Sequence, residues 1–121
     1  KIYREEFWKP SRAGEIDDPV IRQLYFDFYI NSGRDAAVRN LQRAINQLGG
    51  QVDVDGFIGP ETIEVLNRHP NPGEIYEQYR KNRIANYHKI VDDDESQRKF
   101  LDGWINRMDK FKSYDEMLKQ Y

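Results

Sequence analysis

A chain of 121 residues is long enough for one domain with a core and too short for two ordinary ones. Its net charge of −2 gives no positive field for nucleic acid, and no apolar run approaches the roughly 18 residues of a membrane span. Cysteine is absent, which excludes disulfides and thiolate chemistry, while 13% aromatic residues promise a core or a cleft rich in rings.

The chain opens on Lys1 and carries no signal-peptide pattern, so it reads as a processed product or a fragment of something longer. Tyr3 and Phe7 have helical i, i+4 spacing, and Trp8 precedes Lys9-Pro10. Asp18-Pro19 has the form of a helix start, Asp as cap and Pro at the first helical position. The run VIRQLYFDFYIN is apolar nearly all round, which predicts a buried central helix. It stops at Asn31-Ser32-Gly33, with Gly33 as a left-handed cap, and Ser32 with Asp35 has capping-box spacing for the next helix. That helix carries Ala36, Ala37, Val38, Leu41, Ala44, Ile45 and Leu48, and ends at Gly49-Gly50.

The loop QVDVDGFIG follows, with at most a short extended piece over 51–54. Asp55-Gly56 is a turn signal, because Gly accepts positive φ and Asp bonds its own backbone. Phe57 and Ile58 are expected to fold back onto the core. Pro60 starts a short helix, Glu61 suits its first turn, and Thr62 can bond backbone locally. HPNPG breaks the chain before a long amphipathic helix containing Ile75, Tyr76, Tyr79, Ile84, Tyr87, Ile90 and Val91. After the acidic connector DDDES, residues Phe100, Leu101, Trp104, Ile105, Met108 and Phe111 share a helical stripe, and Ser113 with Glu116 caps a last short turn. The expected fold is mainly α: one compact helical domain over 1–121.

Spacing removes several chemistries. Asp53-x-Asp55-Gly56 lacks the other ligands of an EF-hand loop, at Gln51 and Thr62. About ten residues separate the helices around the loop, too many for a helix-turn-helix. His69 and His88 have no zinc-ligand spacing, and there is no phosphate loop or nucleophile elbow. No metal or cofactor is therefore expected. Asp27 stands out inside LYFDFYI, one helical turn from Asn31. A buried carboxylate must be hydrogen-bonded or neutral. It either lines a binding cleft with Asn31 or is satisfied by an arginine or by backbone.

The stretch LQRAINQLG…VDGFIGPETIEVLN resembles the peptidoglycan-binding motif of bacterial cell-wall hydrolases, with Asp55, Gly56, Gly59, Pro60 and Thr62 in register. IYREEFWKP, FDFYINSGRDAAVRNLQRA and QRKFLDGWINRMDKF are similar to glycoside hydrolase family 108, the lysozyme-like muramidases and secretion activator proteins of bacteria and phages. The resemblance implies a lysozyme-like helical fold with a peptidoglycan-binding helix-loop-helix. It implies peptidoglycan glycan strands as partner, the bacterial envelope or exterior as location, and Tyr3, Trp8, Asp27 and Asn31 near the sugar, with Trp8 divided between cleft and core. The family's catalytic glutamate lies in a Glu-Gly-Gly-Tyr-like motif that this sequence lacks. Glu5 and Glu6 do not replace it, so no catalytic residue is expected here. The alternative is a structural or interaction domain of a phage or secretion-related protein.

Overall fold

Residues 11–119 are described by the computed structural model. Helix α1 spans Pro19–Ser32. Asp18 caps it as its type requires: one carboxylate oxygen accepts the N–H groups of Val20 at 2.9 Å and Ile21 at 3.0 Å. Gly33 ends α1 and starts α2, which spans Arg34–Gln47. Its N–H donates to Tyr29 O and its carbonyl accepts from Ala37 N, so one residue turns the chain. The junction differs from the expected left-handed cap. Gly33 has φ 92 but ψ 169, a region open essentially to glycine alone. Ser32 caps nothing; its hydroxyl donates to Asn31 Oδ1.

Helix α3 spans Pro60–Arg68, α4 Pro72–Asp93, α5 Arg98–Met108 and α6 Tyr114–Leu118, with single 3-10 turns at Ala13–Glu15 and Glu95–Gln97. Among the described residues there is no strand; the chain is a single all-α domain. The centre is α4 rather than α1: it packs on α1, α2, α5 and α6. Helix α1 buries Val20, Ile21, Leu24, Tyr25 and Phe28 but leaves Phe26, Tyr29 and Ile30 half-buried.

The tyrosines act as struts, with rings in the core and hydroxyls on a neighbouring segment. Tyr76 donates to Lys112 O at 2.7 Å, Tyr79 to Ala37 O at 2.8 Å, and Tyr25 to Ser11 O at 2.7 Å. Burial outweighs the nearby arginine charges, Arg34 for Tyr25 and Arg83 for Tyr79, and holds both hydroxyls above their ordinary range. Tyr114 ties α6 back to the start of α1 by donating to the Asp18 carboxylate, and burial together with that bond pushes its hydroxyl up to about 12. Ser113 accepts the Glu116 N–H, as its spacing predicts.

Helix α5 is the looser layer. Met108 is its fully buried residue; Leu101, Trp104 and Ile105 are half-buried, and Phe111 is buried just beyond the helix end.

Candidate functional site

Three polar side chains on α2, at i, i+3 and i+7, hold the loop that carries the motif. Asn46 pairs with both backbone groups of Val52, donating at 2.8 Å and accepting at 2.9 Å. Arg39 donates to Val54 O at 2.9 Å and to Asp35 at 2.8 Å. Gln42, fully buried, is the hub. Its carbonyl oxygen accepts the N–H groups of Asp55 and Gly56, each at 3.1 Å. Its amide nitrogen shares two hydrogens among Asp55 Oδ1 at 3.0 Å, Phe57 O at 3.0 Å and Thr62 Oγ1 at 3.2 Å. Side chains thus supply the partners that a neighbouring strand would otherwise give, and Gln51 to Val54 stays irregular.

Each motif residue now has a physical task. Asp55 accepts the Phe57 N–H at 3.0 Å, and this bond and the Gln42 amide hold its carboxyl below the usual range. Gly56 sits at φ 77, with Asp35 Oδ1 only 2.7 Å from where a Cβ would stand. Pro60 takes the first position of α3. Thr62 bonds the buried Gln42 amide rather than local backbone. Ile58 folds into the core, but Phe57 does not: it is 62% exposed. Two consecutive residues leaving a tight turn point to different sides, and only one enters the core. Gly59 lies beneath that ring, in extended backbone. Outside the loop is a depression of about 210 Å³ lined by Asp53, Asp55, Phe57 and Pro60. Asn67, at the far end of the motif, clamps the N-terminal turn by accepting from Asp17 N at 3.0 Å and donating to Glu15 O at 2.9 Å.

Asp27 and Asn31 belong to a second assembly, built on α1, α4 and α5. Asp27 Oδ2 accepts from Arg83 at 2.8 Å and from Arg107 at 3.1 Å; Oδ1 accepts from Arg107 at 2.7 Å, with the Lys110 ammonium at 3.3 Å. Arg83 is fully buried. Its guanidinium lies 4.8 Å from the Phe28 ring centre and 5.6 Å from that of Phe111. Its Nη1 is buried and has no hydrogen-bond partner among the described residues, so the ring faces help to hold the charge. Arg83 Nε donates to Tyr87 Oη at 3.0 Å, and Tyr87 donates on to Asn31 Oδ1 at 2.9 Å. Burial pushes the Asp27 carboxyl up, but the bonds from Arg107 and Arg83 outweigh it and hold the group below the ordinary 3.8.

Of the residues singled out from sequence, Asp27 and Asn31 therefore come together, and Asp55, Gly56, Gly59, Pro60 and Thr62 come together elsewhere. Tyr3 and Trp8 lie outside the described residues, as do Glu5 and Glu6. An open groove of about 560 Å³ between the end of α2, the start of α4 and α6 is lined by none of them; Gly73, Glu77, Lys81 and Tyr114 form part of its wall.

Sequence reasoning missed Gln42 and Arg83 as hubs. Both occupy positions that helical spacing assigns to the core: Gln42 between Val38 and Ile45, and Arg83 midway between Tyr79 and Tyr87. A polar side chain on a buried stripe was the available signal.

Among the described residues, no helix is long and apolar enough to cross a membrane. No curated protein matches the chain. A family model described as a predicted peptidoglycan domain matches residues 36–109, from the first turn of α2 through α5, including the whole Gln42-centred loop. That match covers more than half of the sequence, and the chain belongs to the predicted peptidoglycan domain family.

Proposed function

We propose that this domain recognises peptidoglycan as the wall-engaging part of a lysozyme-like N-acetylmuramidase akin to glycoside hydrolase family 108. The domain holds glycan strands of the bacterial cell wall, and the catalytic glutamate belongs to a segment outside this sequence. The family match over 36–109 supports the peptidoglycan-recognition part of the reading; the muramidase part rests on the resemblance of the flanking sequence segments. The loop geometry supports a supporting role for the motif, because Gln42 consumes its polar groups internally. Contact with the sugar then falls to the face bearing Asp27 and Asn31.

Asp27 does not suit proton donation. A glycosidase general acid needs a raised pKa, and Asp27 is held ionised by two guanidinium groups. Co-sedimentation with purified bacterial sacculi tests the recognition; retention no greater than that of an unrelated acidic protein overturns it. The chain as given should not clear a cell-wall suspension. Clearing would place a catalytic acid within these 121 residues and overturn the division of labour.

A further inference from the structure

A ladder of rings leads outward from the Asp27 assembly. Phe100, Trp104 and Arg107 are i, i+4 and i+7 on α5 and share one helix face. The Trp104 ring stacks on Tyr87 with centres 5.2 Å apart, and Phe100 continues the ladder at 6.0 Å. Phe100 is 46% exposed, an unusual place for a large ring. At the inner end, Tyr87 meets Asn31. Asn31 is exposed, and its carbonyl oxygen is taken by the Tyr87 and Ser32 hydroxyls. Its amide hydrogens can serve an outside acceptor.

The charges beside this ladder are cationic. Arg83 and Arg107 already engage both Asp27 oxygens, at 2.7 to 3.1 Å. Lys110 is thus a third cation on one carboxylate; its contact is the longest, at 3.3 Å, and its side chain is 55% exposed. The Lys99 ammonium lies 5.2 Å from the Phe100 ring centre. The acids of this stretch, Asp102 and Asp109, follow Phe100 and Arg107 by two positions, roughly 200° round a helix. Donors, cations and a ring surface together fit a ligand with a flat apolar face and a carboxylate.

We propose that the Phe100–Trp104 ladder, with Lys110 and Asn31, binds an acidic muropeptide. The N-acetylated sugar rests on the exposed end of the ring ladder, Asn31 donates to a sugar or peptide oxygen, and a carboxylate of the peptide stem pairs with the Lys110 ammonium. The proposal rests on the peptidoglycan reading and specifies stem-bearing sugar over bare glycan.

The test titrates the chain with a soluble disaccharide-tetrapeptide muropeptide and, separately, with the neutral N-acetylglucosamine tetramer, reading amide and indole shifts by NMR. The muropeptide should bind more tightly, lose affinity as salt rises, and shift the Trp104 indole and the Asn31 side-chain amide. Phe100→Ala should weaken it roughly two- to tenfold. Lys110→Gln should weaken it roughly two- to fivefold and flatten the salt dependence. Both positions are exposed, so folding should survive, and the wild-type shift map stands as a check that needs no variant. Equal affinity for the neutral tetramer, unchanged binding in both variants, or shifts confined to other faces would overturn the proposal. Retention on sacculi without muropeptide binding would overturn it and leave peptidoglycan recognition standing. Loss of sacculus retention by the wild type would remove both.

Discussion

Replacing Gln42 tests the physical account of the motif. Gln42→Leu keeps the volume and removes all five hydrogen bonds to the loop. The bonds to Asp55 and Phe57 are partly solvated, so water replaces them cheaply. The Gly56 N–H and the Thr62 hydroxyl are buried with no substitute. An unsatisfied buried group costs about 1–3 kcal/mol, which puts the total for the two at about 2–6 kcal/mol. Urea unfolding reads this as a lower midpoint at an unchanged slope. Gln42→Glu separates charge from hydrogen-bond loss. The introduced carboxylate still accepts from Asp55 and Gly56 but faces the Asp55 carboxylate and the Phe57 carbonyl without a hydrogen. Repulsion and burial both raise its folded pKa. Its ionised form is therefore the destabilising one, and the deficit relative to wild type should shrink by at least about 1 kcal/mol from pH 7 to about pH 4. A Leu variant within about 0.5 kcal/mol of wild type would refute the hub.

Asp27→Asn leaves Arg83 buried without its counter-ion and should cost about 2–3 kcal/mol, below the usual 3–5 because aromatic faces share the charge. The folded pKa of Asp27 is depressed, so its stabilisation is complete above the unfolded value of about 3.9 and is lost as pH falls through the folded value. Melts between about pH 6 and pH 2 should show a flatter acid limb in the variant; an unchanged limb would show that Asp27 does not titrate as described. Gly56→Ala forces a side chain to φ 77 and against Asp35, which should cost about 1–3 kcal/mol in denaturant unfolding. Phe57→Ser should change stability by less than about 0.5 kcal/mol, because the ring lies outside the core; a larger loss would mean that the ring packs after all.

Helix starts were legible because their chemistry is local. Asp18-Pro19, Gly59-Pro60 and Ser113 act within one turn of themselves, and each begins a helix as its residue type requires. Failures came where the path of the backbone or a long-range partner decided. Ser32 had the spacing of a cap, but Gly33 turned the chain in one residue and left it outside. Thr62 could have bonded local backbone, but the buried Gln42 amide lay within reach from twenty positions away. Phe57 and Ile58 looked alike as apolar neighbours, and only the path of the turn separated them. Asp27 showed itself as an acid in an apolar run; that its partners are Arg83, Arg107 and Lys110 depended on α4 and α5 folding over α1. The family likeness was readable at the motif for the same reason that caps were: five residues with fixed spacing build one loop.

The central claim is peptidoglycan recognition, and the most direct measurement is the fraction of the chain that sediments with purified, protein-free sacculi across a range of sacculus concentrations. The account predicts saturable retention that soluble muropeptides compete away. Retention indistinguishable from that of an unrelated protein of similar charge, at every sacculus concentration, would contradict it.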